Sequence, residues 1–164
     1  MLKNFFKYGI PESNMSVVFV KGDLFNTPNL KALAHGCNCK GAMGKGIAVE
    51  FKNRFPEMYK EYKSLCTIGD FVLGSVFIYR ADPFIIFNLG TQQSWRTKAE
   101  LPAIRESLKK MLSAAEQYGI AEIGLPRIGA GLGGLNWGDV KEVIEDVCEL
   151  SKINIVVFEE YQPS

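Results

Sequence analysis

The stretch Ala34–Gly46, AHGCNCKGAMGKG, holds the single histidine of the chain and two of its four cysteines. Further along, Pro126–Trp137 reads PRIGAGLGGLNW, a second glycine-rich stretch. Each follows a β-rich run and precedes a segment with helical spacing. Leu30–His35 leads into the first, and Gly46–Arg54 leads out of it. Ala121–Leu125 leads into the second. Trp137–Leu150 leads out, with Val140, Val143, Ile144, Val147 and Cys148 on one stripe. Strand, glycine loop and helix thus occur twice.

The rest of the chain continues the alternation. Val17–Lys21 and Ile153–Phe158 read as strands at the two ends. Val72–Tyr79 and Phe84–Leu89 read as strands joined through Ala81, Asp82 and Pro83. Pro56–Cys66 reads as a helix with proline at its first position. Leu101–Tyr118 is the strongest helix, with Ile104, Leu108, Met111, Leu112 and Ala115 on one face and Gly119 as its stop. This order predicts an α/β layered sandwich with a mixed, largely parallel central sheet. In such folds ligands sit beyond the C-terminal ends of the strands, where both glycine loops fall. Glycine admits a close backbone approach, and a loop entering a helix offers unpaired N–H groups to an anion. One such pattern is weak and more often marks a turn. Two at matching sheet positions read as one site that can hold a diphosphate.

Bulk properties narrow the function classes. The chain has 164 residues, 47% hydrophobic, which suits one globular domain over residues 1–164. A net charge of +1 gives no basic field for nucleic acid. The apolar runs are too short for a membrane span, and MLKNFFKYGIPESNM at Met1–Met15 lacks the apolar core of a signal peptide. Residues 1–15 read as an N-terminal extension packing on a sheet edge. Irregularly spaced cysteines in a chain of this size read as free thiols in a reducing cytoplasmic setting.

Two well-known phosphate motifs fail on detail. A P-loop needs a hydroxyl residue after Gly44-Lys45, where Gly46 stands, and a glycine where Cys39 stands. A dinucleotide fingerprint belongs in the first strand–helix turn, whereas Gly129, Gly131, Gly133 and Gly134 lie late and miss its final spacing.

VKGDLF at Val20–Phe25, HGCNCKGAMGKGIAVEFKNRFP at His35–Pro56 and LPRIGAGLGGLNW at Leu125–Trp137 together resemble the macrodomain family, over about Val17 to Phe158. The first loop is most similar to the branch of terminal ADP-ribose glycohydrolases and antitoxins that remove ADP-ribose from DNA. Its HGCNC portion is also similar to ADP-ribose-1″-phosphate phosphatases. The resemblance implies a three-layer α/β/α macrodomain sandwich with a cleft for ADP-ribose. It puts Asp23 and Leu24 at the adenine, with Phe158 packing on the adenine side. It puts Asn38 at the distal ribose, Gly44, Gly46, Ile47 and Ala48 in the first phosphate-side loop, and Gly129, Ala130, Gly131, Leu132 and Gly133 around the diphosphate. It breaks at two positions. Gln92 in NLGTQQSWR stands where glycohydrolase members use a lysine, and Gly133 stands where they use an aspartate. An amide cannot form the adduct an amine forms, and glycine supplies no acid or base. Lysine-dependent removal of ADP-ribose is therefore not expected.

His35 and Asn38 remain as catalytic candidates. The histidine can serve as acid–base or as nucleophile on a terminal phosphate. It can equally end a buried strand and bond only to backbone. His35, Cys37 and Cys39 alternate and would share one face of an extended segment. Only distant Cys66 and Cys148 could complete a zinc set, so no metal is expected, and no cofactor is implied. Trp95-Arg96 can stack on a base or cap the following helix. The aromatics and lysines of Phe51–Lys63 fall at helical spacing and read as a core face with a solvated basic side. The expected function is hydrolysis of ADP-ribose-1″-phosphate or a related ADP-ribose derivative. One alternative is a non-catalytic reader of ADP-ribose-type nucleotides. Another is an ADP-ribosyl hydrolase acting by a substrate-assisted route. The expected partner is ADP-ribose or a derivative, or an ADP-ribosylated macromolecule, with no membrane, and the chain is expected to be a monomer.

Overall fold

The computed structural model describes residues 16–164, so the N-terminal extension falls outside the described residues. Six strands form one sheet: β1 (Val17–Gly22), β2 (Ala32–Asn38), β3 (Val76–Ala81), β4 (Phe84–Gln92), β5 (Glu122–Pro126) and β6 (Asn154–Tyr161). Their spatial order is β1-β6-β5-β2-β4-β3. All neighbours run parallel except β3, which pairs antiparallel with β4 at the edge. Four helices accompany them: α1 (Ile47–Arg54), α2 (Pro56–Thr67), α3 (Leu101–Gln117) and α4 (Trp137–Cys148).

The two-residue period of the strands divides the core between the faces. Ile155 and Val157 of β6, with Ile123 and Leu125 of β5, pack on Ile104 and Leu108 of α3 and Ile144 of α4. Val156 and Phe158 of β6, with Leu33 of β2, pack on Phe51, Met58 and Tyr62 of α1 and α2. Both faces of the sheet are covered. That is why its inner strands read as near-continuous apolar runs rather than alternating ones, and why the fold is a three-layer sandwich.

One feature of the topology positions the site. Strands β2 and β5 lie side by side and parallel. The chain leaving β2 turns into α1 on one face, and the chain leaving β5 turns into α4 on the other. The two connections part, and a crevice opens at the strand ends between them.

Two of the departures from the sequence reading of the element boundaries have a visible physical cause. Val72–Ser75 forms a turn, and β3 starts only at Val76. The Ser75 N–H donates to the Val72 carbonyl at 3.0 Å, and the Val72 N–H donates to Ser75 Oγ at 3.0 Å. This turn rests on the backbone of β4 at Gly90, where a Cβ would run into the Val72 carbonyl. Strands β2 and β4 also run past His35 and Leu89, because they continue to pair through Cys37–Gly90 and Asn38–Gln92. Two polar residues thereby end up fixed at strand tips.

Leu108 is fully buried, whereas Leu150 is 95% exposed just beyond α4. Leu108→Ala should lower unfolding stability in urea by about 2–5 kcal/mol. Leu150→Ala should change it by less than about 0.5 kcal/mol. Similar losses for the two would contradict the placement of α3 in the core.

Candidate functional site

The crevice contains a cavity of about 370 Å³. Asn38 at the tip of β2, Gln92 at the tip of β4, Gly44, Lys45 and Ala48 from the first loop and α1, and Leu132 from the second loop line it, together with Trp95. The two glycine loops touch across it: the Leu132 methyl Cδ1 lies 3.2 Å from where a Gly46 Cβ would stand. Lys45 and Trp95 are exposed at the mouth.

Asn38 builds the first loop. Its Oδ1 accepts from the N–H groups of Lys40 at 3.0 Å and Ala42 at 3.3 Å, and from the Tyr62 hydroxyl at 3.1 Å. Its Nδ2 donates to the Ala42 carbonyl at 2.8 Å. Tyr62, fully buried on α2, also donates to the Asn38 carbonyl at 2.6 Å. The asparagine is thus an Asx-type clamp that folds the loop over itself. With Oδ1 in use, it has one amide N–H left to present to the cavity.

Both loops carry amides without an acceptor among the described residues, and Ala48 from one and Leu132 from the other line the cavity. At the N-terminus of α1 the first loop bond runs from Val49 N to Gly46 O. The amides of Ile47 and Ala48 precede it and have no acceptor among the described residues, as expected for a first helical turn. In the second loop, Gly133 N donates to Ala130 O, Gly134 N to Gly131 O and Leu135 N to Gly129 O. These bonds leave the amides of Ala130, Gly131 and Leu132 without an acceptor among the described residues. Gly131 makes this possible at φ +62°, a conformation that glycine adopts without penalty. Gly129 packs against Ile104 and Val140, which anchors the loop to α3 and α4.

The other residues singled out in the sequence fall elsewhere. Asp23 follows β1 at the same edge of the sheet. Its Oδ1 accepts from the Phe25 N–H at 2.9 Å, and its Oδ2 accepts from the Ser164 N–H at 3.0 Å and the Ser164 hydroxyl at 3.2 Å. Burial by itself raises its pKa, but these bonds outweigh it and hold the carboxyl below the usual range. Leu24 is fully buried beside it, so its side chain is core. Phe158 is 3% exposed and packs with Leu33 and Val156, so its ring belongs to the α1/α2-side core rather than to an open adenine face. Gly133 is buried beside Gln92.

His35 does not reach the cleft, a correction to its candidacy as a catalytic group. It is fully buried and stacks on Phe51 of α1, with centroids 3.8 Å apart and planes 9° apart. Its Nε2 lies 2.6 Å from Asn88 Oδ1. The Asn88 amide nitrogen donates to the Phe77 carbonyl at 3.1 Å, so Oδ1 is the acceptor and His35 carries its proton on Nε2. Its partner is thus a side chain, not backbone. Burial drives its pKa down to about 4, against the smaller opposing effect of Asn88. The thiols are equally unsuited to attack. Burial pushes Cys37 well above its ordinary value and Cys39 up to about 11. Tyr62 and Lys45 were not legible as site residues. The only hint for Tyr62 was a hydroxyl on an otherwise apolar helix face.

A family model for the macro domain matches residues 34–144. The DNA ADP-ribosyl glycohydrolase of Thermus aquaticus is 36% identical over 146 residues, covering 86% of this chain and 40% of that protein. The ADP-ribose 1″-phosphate phosphatase of Candida albicans is 31% identical over 144 residues, covering 79% of this chain and 92% of that protein. The solved macrodomain of Mycobacterium tuberculosis DarG is 32% identical, with a TM-score of 0.80, covering 90% of this chain and 98% of that one. The chain belongs to the macrodomain family. It spans about two fifths of the length of the DNA ADP-ribosyl glycohydrolases it matches.

The neutral His35 makes stability depend on pH. The unfolded chain takes up a proton near the ordinary value of 6.5, whereas the folded chain refuses it until about 4. The contribution is complete above pH 6.5 and is lost as pH falls towards 4, amounting to about 3 kcal/mol. Urea unfolding between pH 6.5 and 5 should show stability falling in the parent and a shallower slope in His35→Phe. Equal slopes would contradict the buried neutral imidazole.

Proposed function

We propose that this macrodomain binds the ADP-ribose group in the crevice and hydrolyses an ADP-ribose derivative, ADP-ribose-1″-phosphate or a relative of it, at the distal ribose. The observation that carries the reading is the pair of glycine loops. One leaves the amides of Ile47 and Ala48, the other those of Ala130, Gly131 and Leu132, without an acceptor among the described residues, and Ala48 and Leu132 line one cavity of about 370 Å³. Such amides neutralise a diphosphate without a lysine beneath it. The adenine extends towards Asp23, where it competes with Ser164 for the carboxylate. The distal ribose lies at Asn38 and Gln92.

The chemistry follows from what the cleft contains. Among the described residues no imidazole or carboxylate lines the cavity, so as water attacks the terminal phosphorus and the bond from phosphorus to the ribose O1″ breaks, one proton of the water passes through the substrate's own phosphate oxygens to the departing O1″, leaving inorganic phosphate and ADP-ribose. The remaining amide N–H of Asn38 orients the ribose end, and the loops hold the diphosphate still, which supplies positioning rather than acid–base catalysis. The names of relatives fit hydrolysis at this position: one is an ADP-ribosyl glycohydrolase and one an ADP-ribose 1″-phosphate phosphatase. A second reading is a non-catalytic reader. The specific observation that favours it is that Gln92 and Gly133 lie side by side, where the resemblance would put a lysine and an aspartate.

Calorimetric titration with ADP-ribose, run beside phosphate release from ADP-ribose-1″-phosphate, separates these readings. The proposal expects micromolar binding with release of inorganic phosphate. Binding without turnover of this substrate or of ADP-ribosylated protein or DNA supports the reader. An absence of binding refutes both. Gly131→Asp supplies the control. Its Cβ would meet nothing within 4 Å, and Asp tolerates positive φ better than most residues. The variant should fold with a Tm within a few degrees of the parent and bind ADP-ribose at least tenfold more weakly, because its charge faces the diphosphate.

A further inference from the structure

Beyond Tyr161, its last paired residue, the chain of β6 runs on to Asp23. A bulge prepares the crossing. Val20 pairs with Phe158 and Lys21 with Glu160, so Glu159 is one residue more than β1 can match, and such a bulge bends the strand that carries it. Trp137 Nε1 and Lys141 Nζ hold Glu159 there, at 2.8 Å and 3.5 Å from its Oε2. The Gln162 N–H then donates to the Gly22 carbonyl at 2.8 Å, and Ser164 reaches the carboxylate. Its N–H and its hydroxyl donate to Asp23 Oδ2 at 3.0 Å and 3.2 Å. Asn26 Nδ2 donates to the same hydroxyl oxygen at 2.8 Å, which leaves the hydroxyl proton for Asp23.

These contacts fill one oxygen. A carboxylate oxygen accepts about two hydrogen bonds, and Ser164 supplies both at Oδ2, while Oδ1 takes the Phe25 N–H at 2.9 Å. With Ser164 in place, Asp23 is 8% exposed. A ligand N–H therefore reaches Oδ2 only by taking the place of Ser164. The hold is light. Residues 162–164 are exposed and none of their side chains is buried, so polar bonds are what fixes them, and a segment held in this way opens locally at low cost. We propose that residues 162–164 form a strap, an autoinhibitory contact that fills the acceptor on Asp23 in the free protein and has to leave before the adenine end of a ligand docks. The chain thereby sets its own affinity below what the open crevice would give. This rests on the reading of the crevice as an ADP-ribose site with the adenine at Asp23.

Calorimetry with ADP-ribose on the parent, Ser164→Pro and Ser164→Ala tests the strap. Proline removes both donors, and alanine removes the hydroxyl alone. Ser164 is exposed, and urea unfolding should show both variants folded. Ser164→Pro should bind ADP-ribose about tenfold more tightly than the parent and Ser164→Ala about threefold, the scale of the hydrogen bonds that the ligand no longer has to displace. In the parent, the backbone amide resonance of Ser164 should move from its free position as ADP-ribose saturates the protein. Equal or weaker binding by Ser164→Pro overturns the strap, since the segment is then idle or part of the binding wall, and so does a Ser164 amide unmoved at saturation. Both of these results leave ADP-ribose bound to the parent and the crevice reading intact. If neither the parent nor the variants bind ADP-ribose, that reading has failed and the strap falls with it.

Discussion

Two neighbouring parallel strands, β2 and β5, send their chains to opposite faces of the sheet, and the site depends on this. A parallel pair whose connections part must leave its C-terminal ends uncovered. The apolar packing that draws α1 to one face and α4 to the other is thus the force that opens the crevice. Phe51 and Ile144, one in each helix layer and both fully buried, belong to cores that share no space with the ligand. They nevertheless decide where a ligand can go. The glycine loops are the short segments by which the chain crosses from strand tip to helix on either side of that opening.

What turns the opening into a site is economical in side chains. Asn38 and Tyr62 fold the first loop, and Gly129 wedges the second against α3 and α4. Ala48 and Leu132, whose amides have no acceptor among the described residues, line the cavity from the two loops. Preorganised donors of this kind favour an anion without a buried compensating charge. Among the described residues no imidazole or carboxylate lines the cavity, and the proposed hydrolysis therefore leaves proton transfer to the substrate. His35, the residue best suited by type to acid–base chemistry, serves the core instead, stacked on Phe51 and bonded to Asn88.

Much of this was legible in the sequence, for physical reasons that differ by element. The stripe Ile104, Leu108, Met111 and Ala115 announced α3, because helical periodicity over a long segment has few alternatives. The two strand–glycine–helix units announced the crevice, since position relative to strand ends follows from chain order. The turn at Val72–Ser75 was hidden, because its cause is contact with Gly90, distant in sequence. The burial of His35 and Phe158 was hidden for a related reason. Both sit in strands covered on two faces, where every position is apolar in character and alternation no longer tells inward from outward. The orientation of the Gln92 amide depends on the carbonyls of Ser94 and Thr97, which no residue pattern encodes. The family resemblance supplied the ligand class, but the surroundings of its side-chain positions, His35 and Phe158 among them, had to be seen in the structure.

The central claim is that unpaired amides of both loops converge on one diphosphate. It is tested most directly by recording backbone amide resonances of the protein during titration with ADP-ribose. The account predicts that Ile47 and Ala48 on one wall and Ala130, Gly131 and Leu132 on the other shift together, with a single saturation curve and downfield displacement of their amide protons. Shifts confined to one loop, or centred on residues away from the ends of β2 and β5, would contradict it.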